Sequence, residues 1–243
     1  MPVPTPPSKP SLLLLLPGLA CDAELFAHQQ PVLAARHRVH ISDVHTRAPT
    51  LPAMAARLWA EQPGAQVLVG ASMGGMLALE MWRQAPERVR GIALLGSTAR
   101  PDTPALITLH TQACGLFASG RMDELLGANV LFAFHPRNVG NKPLVQRYLA
   151  MVRRAGAAQL IAQNQAVMAR ADSRPLLPQM RCPLLLACGE ADGLTPPALV
   201  HEMAALAPAA QVHIVAGAGH MLTMEQPALV NALLLDWLQR LSA

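Results

Sequence analysis

The amino-acid sequence predicts an α/β fold: a mostly parallel sheet of about six strands flanked by helices, with an inserted helical cap. Short apolar runs recur at residues 12–16, 39–41, 67–69, 92–95, 184–188 and 212–215, and runs apolar on both faces belong to strands covered on both sides. Helical patterns at 24–35, 52–61, 74–84, 198–207 and 227–241 fit the gaps between neighbouring strands. The alternation stops after Gly96 and resumes at Pro183, and between them lie helical patterns at 104–117, 122–132, 143–154 and 157–170 with no strand. The expected organisation is a loose Pro-rich arm at 1–10, a sheet core formed by 11–99 and 182–243, and a helical cap at 100–181.

A chain of 243 residues buries one large core, and 52% apolar with 14% charged residues describes a globular protein rather than a disordered one. Aromatic residues make up only 3%, so Leu, Ala, Val and Met build the core, and stacking platforms for nucleic acid are not expected. No stretch approaches the roughly 18 apolar residues of a membrane span. The run at 12–16 is too short for a secretory leader and ends in Pro17-Gly18 rather than at a small-residue cleavage site. Cys21, Cys114, Cys182 and Cys188 follow no zinc-binding spacing. They read as reduced thiols of a cytoplasmic protein, and neither metal nor cofactor is expected.

The strongest local signal is Gly70-Ala71-Ser72-Met73-Gly74, directly after the apolar run that ends at Val69 and directly before a helical pattern. A serine hydroxyl is a poor nucleophile at neutral pH. It needs a base to take its proton and a sharp strand-to-helix turn that exposes its oxygen, with glycines clearing the crowded backbone on either side. A short Gly/Ser pattern arises often by chance, and its position between strand and helix is what makes Ser72 a candidate nucleophile. No Lys-Ser/Thr pair follows, which excludes a phosphate-binding loop, and the glycine spacing of a dinucleotide site is absent.

The base is expected on a loop after the last strand and its orienting acid after the preceding one. His220, in Gly217-Ala218-Gly219-His220-Met221, is the one histidine among nine in that setting. Asp192, in Gly189-Glu190-Ala191-Asp192-Gly193, occupies the acid position, with Glu190 and, more weakly, Asp102 as competitors. His110 and His135 are kept as candidate cap contacts. Acyl transfer also needs two N–H donors for the oxyanion. One is expected from Met73, just after the nucleophile, and the other from Leu19 in the loop Pro17-Gly18-Leu19-Ala20-Cys21-Asp22.

With Pro17-Gly18-Leu19, Gly70-Ala71-Ser72-Met73-Gly74-Gly75, Gly189-Glu190-Ala191-Asp192 and Gly219-His220 followed by Glu225-Gln226-Pro227, the chain resembles the alpha/beta-hydrolase superfamily from about residue 11 to the C-terminus. It departs from the family in carrying Pro17 where many members have His-Gly, and in lacking strands before Ser11, which implies a shortened sheet edge. The resemblance implies hydrolysis of a carboxylic ester, thioester or lactone through an acyl-enzyme, and is greatest to small capped carboxylesterases. Ser72 argues against the epoxide and halide chemistry of members with an aspartate nucleophile. The same triad would also serve carbon-carbon bond hydrolysis, elimination of an acyl-derived anion or perhydrolysis, and a non-catalytic ligand receptor on this fold is the reading from another class.

A cap would set specificity. Leu116, Phe117, Phe132, Phe134 and Met151 are candidate pocket linings, although most apolar cap residues are expected simply to pack its helices together. Residues 100–181 hold ten basic side chains against four acidic ones. That excess, including Arg147, Arg153 and Arg154, suggests an anionic ester or thioester or an acidic carrier protein as partner, with a solvated helical surface as the alternative.

Overall fold

Residues 12–241 are described by a computed structural model in which six strands form one parallel sheet, ordered β2-β1-β3-β4-β5-β6. The strands are β1 (Leu12–Leu16), β2 (Arg38–Ile41), β3 (Gln66–Ala71), β4 (Val89–Leu95), β5 (Leu184–Gly189) and β6 (Gln211–Val215). The helices are α1 (Gln30–Ala34), α2 (Leu51–Glu61), α3 (Met73–Gln84), α4 (Pro104–Ala118), α5 (Met122–Ala133), α6 (Lys142–Met168), α7 (Pro197–Leu206), α8 (Leu222–Glu225) and α9 (Pro227–Leu241), with short 3₁₀ turns between them. The arm expected at residues 1–10 lies outside the described residues.

Strand alternation divides the interior in two. Leu13, Leu15, Val67, Val69, Ala93, Leu95, Leu185 and Ala187 point into one layer, which α1 and α9 close with Leu33, Val230, Leu234 and Trp237. Leu14, Leu16, Leu68, Ile92, Leu94, Leu184 and Leu186 point into the other, closed by α2, α3 and α7 through Met54, Leu58, Leu77 and Met203. The central strands β1, β3 and β5 are buried along their whole length. The edge strands β2 and β6 are partly exposed, so their runs are not apolar on both faces in use: one flank has no neighbour to cover it.

The insertion between β4 and β5 is wholly helical in its regular structure. Phe117, Leu126, Val130, Tyr148, Met151 and Leu160 join the same apolar layer as α1 and α9, so the insertion rests on the core. Thr103 and Asn141 cap α4 and α6 by accepting from Leu106 N and Leu144 N at 3.3 Å each, and Pro104 and Pro143 occupy first-turn positions where a missing N–H costs nothing. The two helices expected at 143–154 and 157–170 run on as α6, broken at Gly156, whose φ of 75° is non-helical.

The helix expected at 24–35 is instead a 3₁₀ turn, Ala23–Phe26, followed by α1. Pro31 supplies the reason. It has no N–H to continue an incoming helix but suits a first turn, so the chain restarts there.

Candidate active site

Four consecutive strands, β3 to β6, deliver their following loops to one edge of the sheet, its carboxyl edge, where ligands bind in open α/β sheets. Ser72 stands between β3 and α3 with φ 52° and ψ −117°, one of two non-glycine residues at positive φ among those described. Such a backbone costs roughly 1–3 kcal/mol and persists only when its surroundings fix it. Here Ser72 N donates to Leu95 O at 2.9 Å, while Ser72 O accepts from Ser97 Oγ at 2.8 Å and Gly75 N at 2.9 Å. The turn needs its glycines for space: a Cβ on Gly74 would lie 1.9 Å from Leu16 O, and one on Gly70 2.3 Å from Gly74 O.

Asp192 and His220 meet in the interior, 3% and 6% exposed. His220 Nδ1 lies 3.0 and 2.9 Å from the two Asp192 oxygens. A carboxylate only accepts, so Nδ1 carries the proton and Nε2 keeps its lone pair. Asp192 is held in turn by Leu194 N at 2.9 Å, Thr195 N at 2.8 Å and Thr195 Oγ1 at 2.8 Å. Burial alone would lower the His220 pKa, but the charge and hydrogen bond of Asp192, aided by Glu225, outweigh it and hold the imidazole above its ordinary value. Burial works to raise the Asp192 pKa, and His220 with the Thr195 donors overcomes this and keeps the carboxyl below its usual range.

The pair sits beside the end of β4. A Cβ on Gly96 would lie 3.1 Å from Asp192 Oδ2 and 3.2 Å from His220 Nδ1, and the Ser72 N–H bonds to the residue just before it. The Asp192–His220 pair and the Ser72 turn thus both border the end of β4, with Ser72 following β3, Asp192 following β5 and His220 following β6. Glu190 turns away, accepting from Gly217 N at 2.7 Å and facing His135 Nε2 at 3.1 Å. Asp102 is buried against Arg170 at 2.8 Å. Neither is hydrogen-bonded to His220.

The loop after β1 runs against this turn: a Cβ on Gly18 would lie 3.2 Å from Ser72 Cβ. Met73 opens α3, so its N–H has no partner within the helix. The Leu19 N–H makes no hydrogen bond among the described residues.

Of the pocket candidates, Phe117, Phe134 and Met151 are buried in the layer beneath the insertion, with Phe134 edge-on to Tyr148 at 5.2 Å, and Leu116 is partly buried. Phe132 departs from expectation. On α5 its neighbours Val130 and Ala133 face inward, leaving its ring 56% exposed, and its carbonyl rather than its ring meets the acid loop, accepting from Gly193 N at 3.2 Å. His110 contacts Asn164 at 2.5 Å. The three arginines singled out in the insertion are each paired, Arg147 with Glu24 at 2.6 Å, Arg153 with Asp123 at 2.9 Å and Arg154 with Asp22 at 2.8 Å, which neutralises much of their field.

Sequence reasoning passed over Thr195, which ties Asp192 to its loop, and Glu225, which braces the His220 loop by accepting from Gly219 N at 2.7 Å and His135 N at 2.8 Å. Thr195 lay within reach as the polar side chain three residues past the acid. Glu225 stood in the Glu225-Gln226-Pro227 motif without a role, because one of the segments it braces, at His135, is far away in sequence.

Residues 13–233 match the model of the alpha/beta hydrolase family, and the chain belongs to that family. Among its relatives, the pimeloyl-[acyl-carrier protein] methyl ester esterase of Xanthomonas oryzae pv. oryzae is 30% identical over 226 residues, covering 86% of this chain and 87% of that protein. The solved structure of a thermophilic esterase from Thermogutta terrifontis superposes with a TM-score of 0.88 at 25% identity, covering 97% of this chain and 92% of that one. An enol-lactonase from Burkholderia xenovorans shares the fold with a TM-score of 0.83 at 21% identity, covering 97% of this chain and 94% of that one. Among the described residues no helix is long and apolar enough to cross a membrane.

Proposed function

We propose that the protein is a serine hydrolase that cleaves a carboxylic ester through an acyl-enzyme intermediate. The observation that carries this reading is the buried Asp192–His220 pair, 2.9 Å apart, at the sheet edge where the strained Ser72 turn projects. In the proposed mechanism Ser72 Oγ attacks the ester carbonyl while His220 Nε2 takes its proton, and Asp192 fixes the tautomer and stabilises the imidazolium. The oxyanion forms between the N–H groups of Met73 and Leu19. His220 returns the proton to the leaving alcohol, and the same steps with water release the acid and free Ser72.

The insertion, residues 100–181, is proposed as a cap that closes over the acyl chain, with Phe117, Phe134 and Met151 on its inner side as support for an apolar pocket. The relatives named for a carrier-protein ester favour an acyl ester presented by an acidic carrier protein over a small free ester. The four free cysteines suit a reducing compartment and support a cytoplasmic setting.

The test is a panel of p-nitrophenyl esters, lactones, acyl thioesters and acyl methyl esters, the last both free and on acyl carrier protein, assayed on wild type and Ser72→Ala. Ester turnover in the wild type with a loss of at least about 10³-fold in Ser72→Ala is expected. A fluorophosphonate that fails to label the folded wild type would instead favour a receptor.

A further inference from the structure

The loop expected to supply one oxyanion donor is held from outside the sheet domain. Ala20 is the second non-glycine residue at positive φ, at 61°, a conformation that disfavours any side chain with a Cβ. Its N–H points into the interior, where an unmatched donor is costly. The acceptor is Gln163 Oε1 at 2.7 Å, from α6 in the insertion, 143 residues along the chain. Gln163 is 1% exposed, and its Nε2 donates to His45 O at 3.2 Å. His45 closes the ring: its Nε2 lies 2.7 Å from Cys21 O, a carbonyl, so that nitrogen donates. Within the loop Cys21 N donates to Gly18 O at 3.1 Å.

Leu19 is therefore flanked by fixed backbone on both sides while its own N–H stays unengaged. Resting on the ester-hydrolase reading above, the geometry points to Gln163 as a positioning residue: by accepting from Ala20 N and donating to His45 O it holds the loop in the conformation that aims the Leu19 N–H at the oxyanion. Gln163 never touches substrate. It makes seating of the insertion a condition for transition-state stabilisation, because withdrawing α6 withdraws the acceptor that balances the strained Ala20.

An apolar side chain of similar size removes both bonds. For Gln163→Leu, kcat on a p-nitrophenyl ester is expected to fall about 10- to 100-fold with KM within about 2-fold, since a misplaced oxyanion donor weakens the transition state and not the ground state. The Ki of an alkylboronic acid, which becomes tetrahedral on Ser72, rises in parallel with the loss of kcat. A folded variant with kcat within about 2-fold of wild type, or with lowered kcat but unchanged boronate inhibition, overturns the inference. Where Gln163→Leu does not fold, Gln163→Met keeps the unbranched shape and volume and removes both bonds. It is expected to lose at least about 3-fold in kcat with the same parallel, and wild-type behaviour overturns the inference. Ester turnover that survives Ser72→Ala overturns both this and the reading beneath it, whereas Ser72-dependent turnover indifferent to Gln163 overturns this one alone.

Discussion

The carboxyl edge of the sheet and the helical insertion use glycine in opposite ways. At the sheet edge a Cβ on Gly74 would sit 1.9 Å from Leu16 O and one on Gly189 would sit 2.2 Å from Gly219 O, so backbone packs directly on backbone. In the insertion, Gly115, Gly127 and Gly140 have nothing within 4 Å of where a Cβ would stand. The edge fixes where Ser72, Asp192 and His220 stand through contacts that no larger residue permits. Much of the insertion's own surface carries exposed ion pairs such as Arg153–Asp123, the kind worth little to stability, while a few buried ties such as Gln163–Ala20 seat it on the core. One region is built for constancy of geometry and the other for variation of surface.

Substitutions test this contrast, and the largest effect is expected at the edge. Asp192→Asn preserves shape but removes the carboxylate that selects the His220 tautomer, and kcat is expected to fall by about 10⁴-fold. Steady-state kinetics across pH sharpen the point. His220 is held above 6.5 in the fold, so the acidic limb of kcat/KM has its midpoint above that value. The stabilisation that protonated His220 gives is fully present below 6.5 and is lost as pH rises through the folded value. Activity therefore appears over the window in which this stabilisation disappears. In Asp192→Asn, burial is opposed only by the charge of Glu225 and the limb moves to lower pH; a limb that stays in place would sever the link between the two residues.

Gly74→Ala is expected to cost about 3 kcal/mol or more, because Leu16 O belongs to a central strand and cannot retreat, and denaturant unfolding measures it. Gly127→Ala is the smallest effect and has the opposite sign. At an exposed position inside α5 it is expected to add about 0.5–1 kcal/mol, raising Tm by roughly 1–4 °C with activity unchanged. Thermal melts in which the two glycines behaved alike would dissolve the contrast.

How far the sequence could be read follows the same division. The strand at Leu12–Leu16 is a run of five leucines, and its burial on both faces follows from that. The Asp192–His220 contact and the sharp turn at Ser72 were legible because each residue sits past the end of a strand, where chain order places it on one edge of the sheet. The break between Phe26 and Gln30 was not, because helical periodicity persists through Pro31 while the hydrogen bonds do not. Gln163 was not legible either: it is a polar residue in a helix, and its meaning lies in a partner 143 residues away. The pairing of Arg147, Arg153 and Arg154 was hidden for a related reason, since a charge count weighs residues without locating them.

The strand order has a kinetic corollary. Parallel pairing must await closure of its crossover, and longer closures cost more entropy. The strained turn at Ser72 requires only β1, β3 and β4, each connected by less chain than the insertion that separates β4 from β5. Asp192 and His220 reach their places only after β5 and β6 have docked across the whole insertion. By closure length the Ser72 turn is expected to form before the Asp192–His220 pair, so a half-folded chain would hold the turn without the histidine proposed as its base.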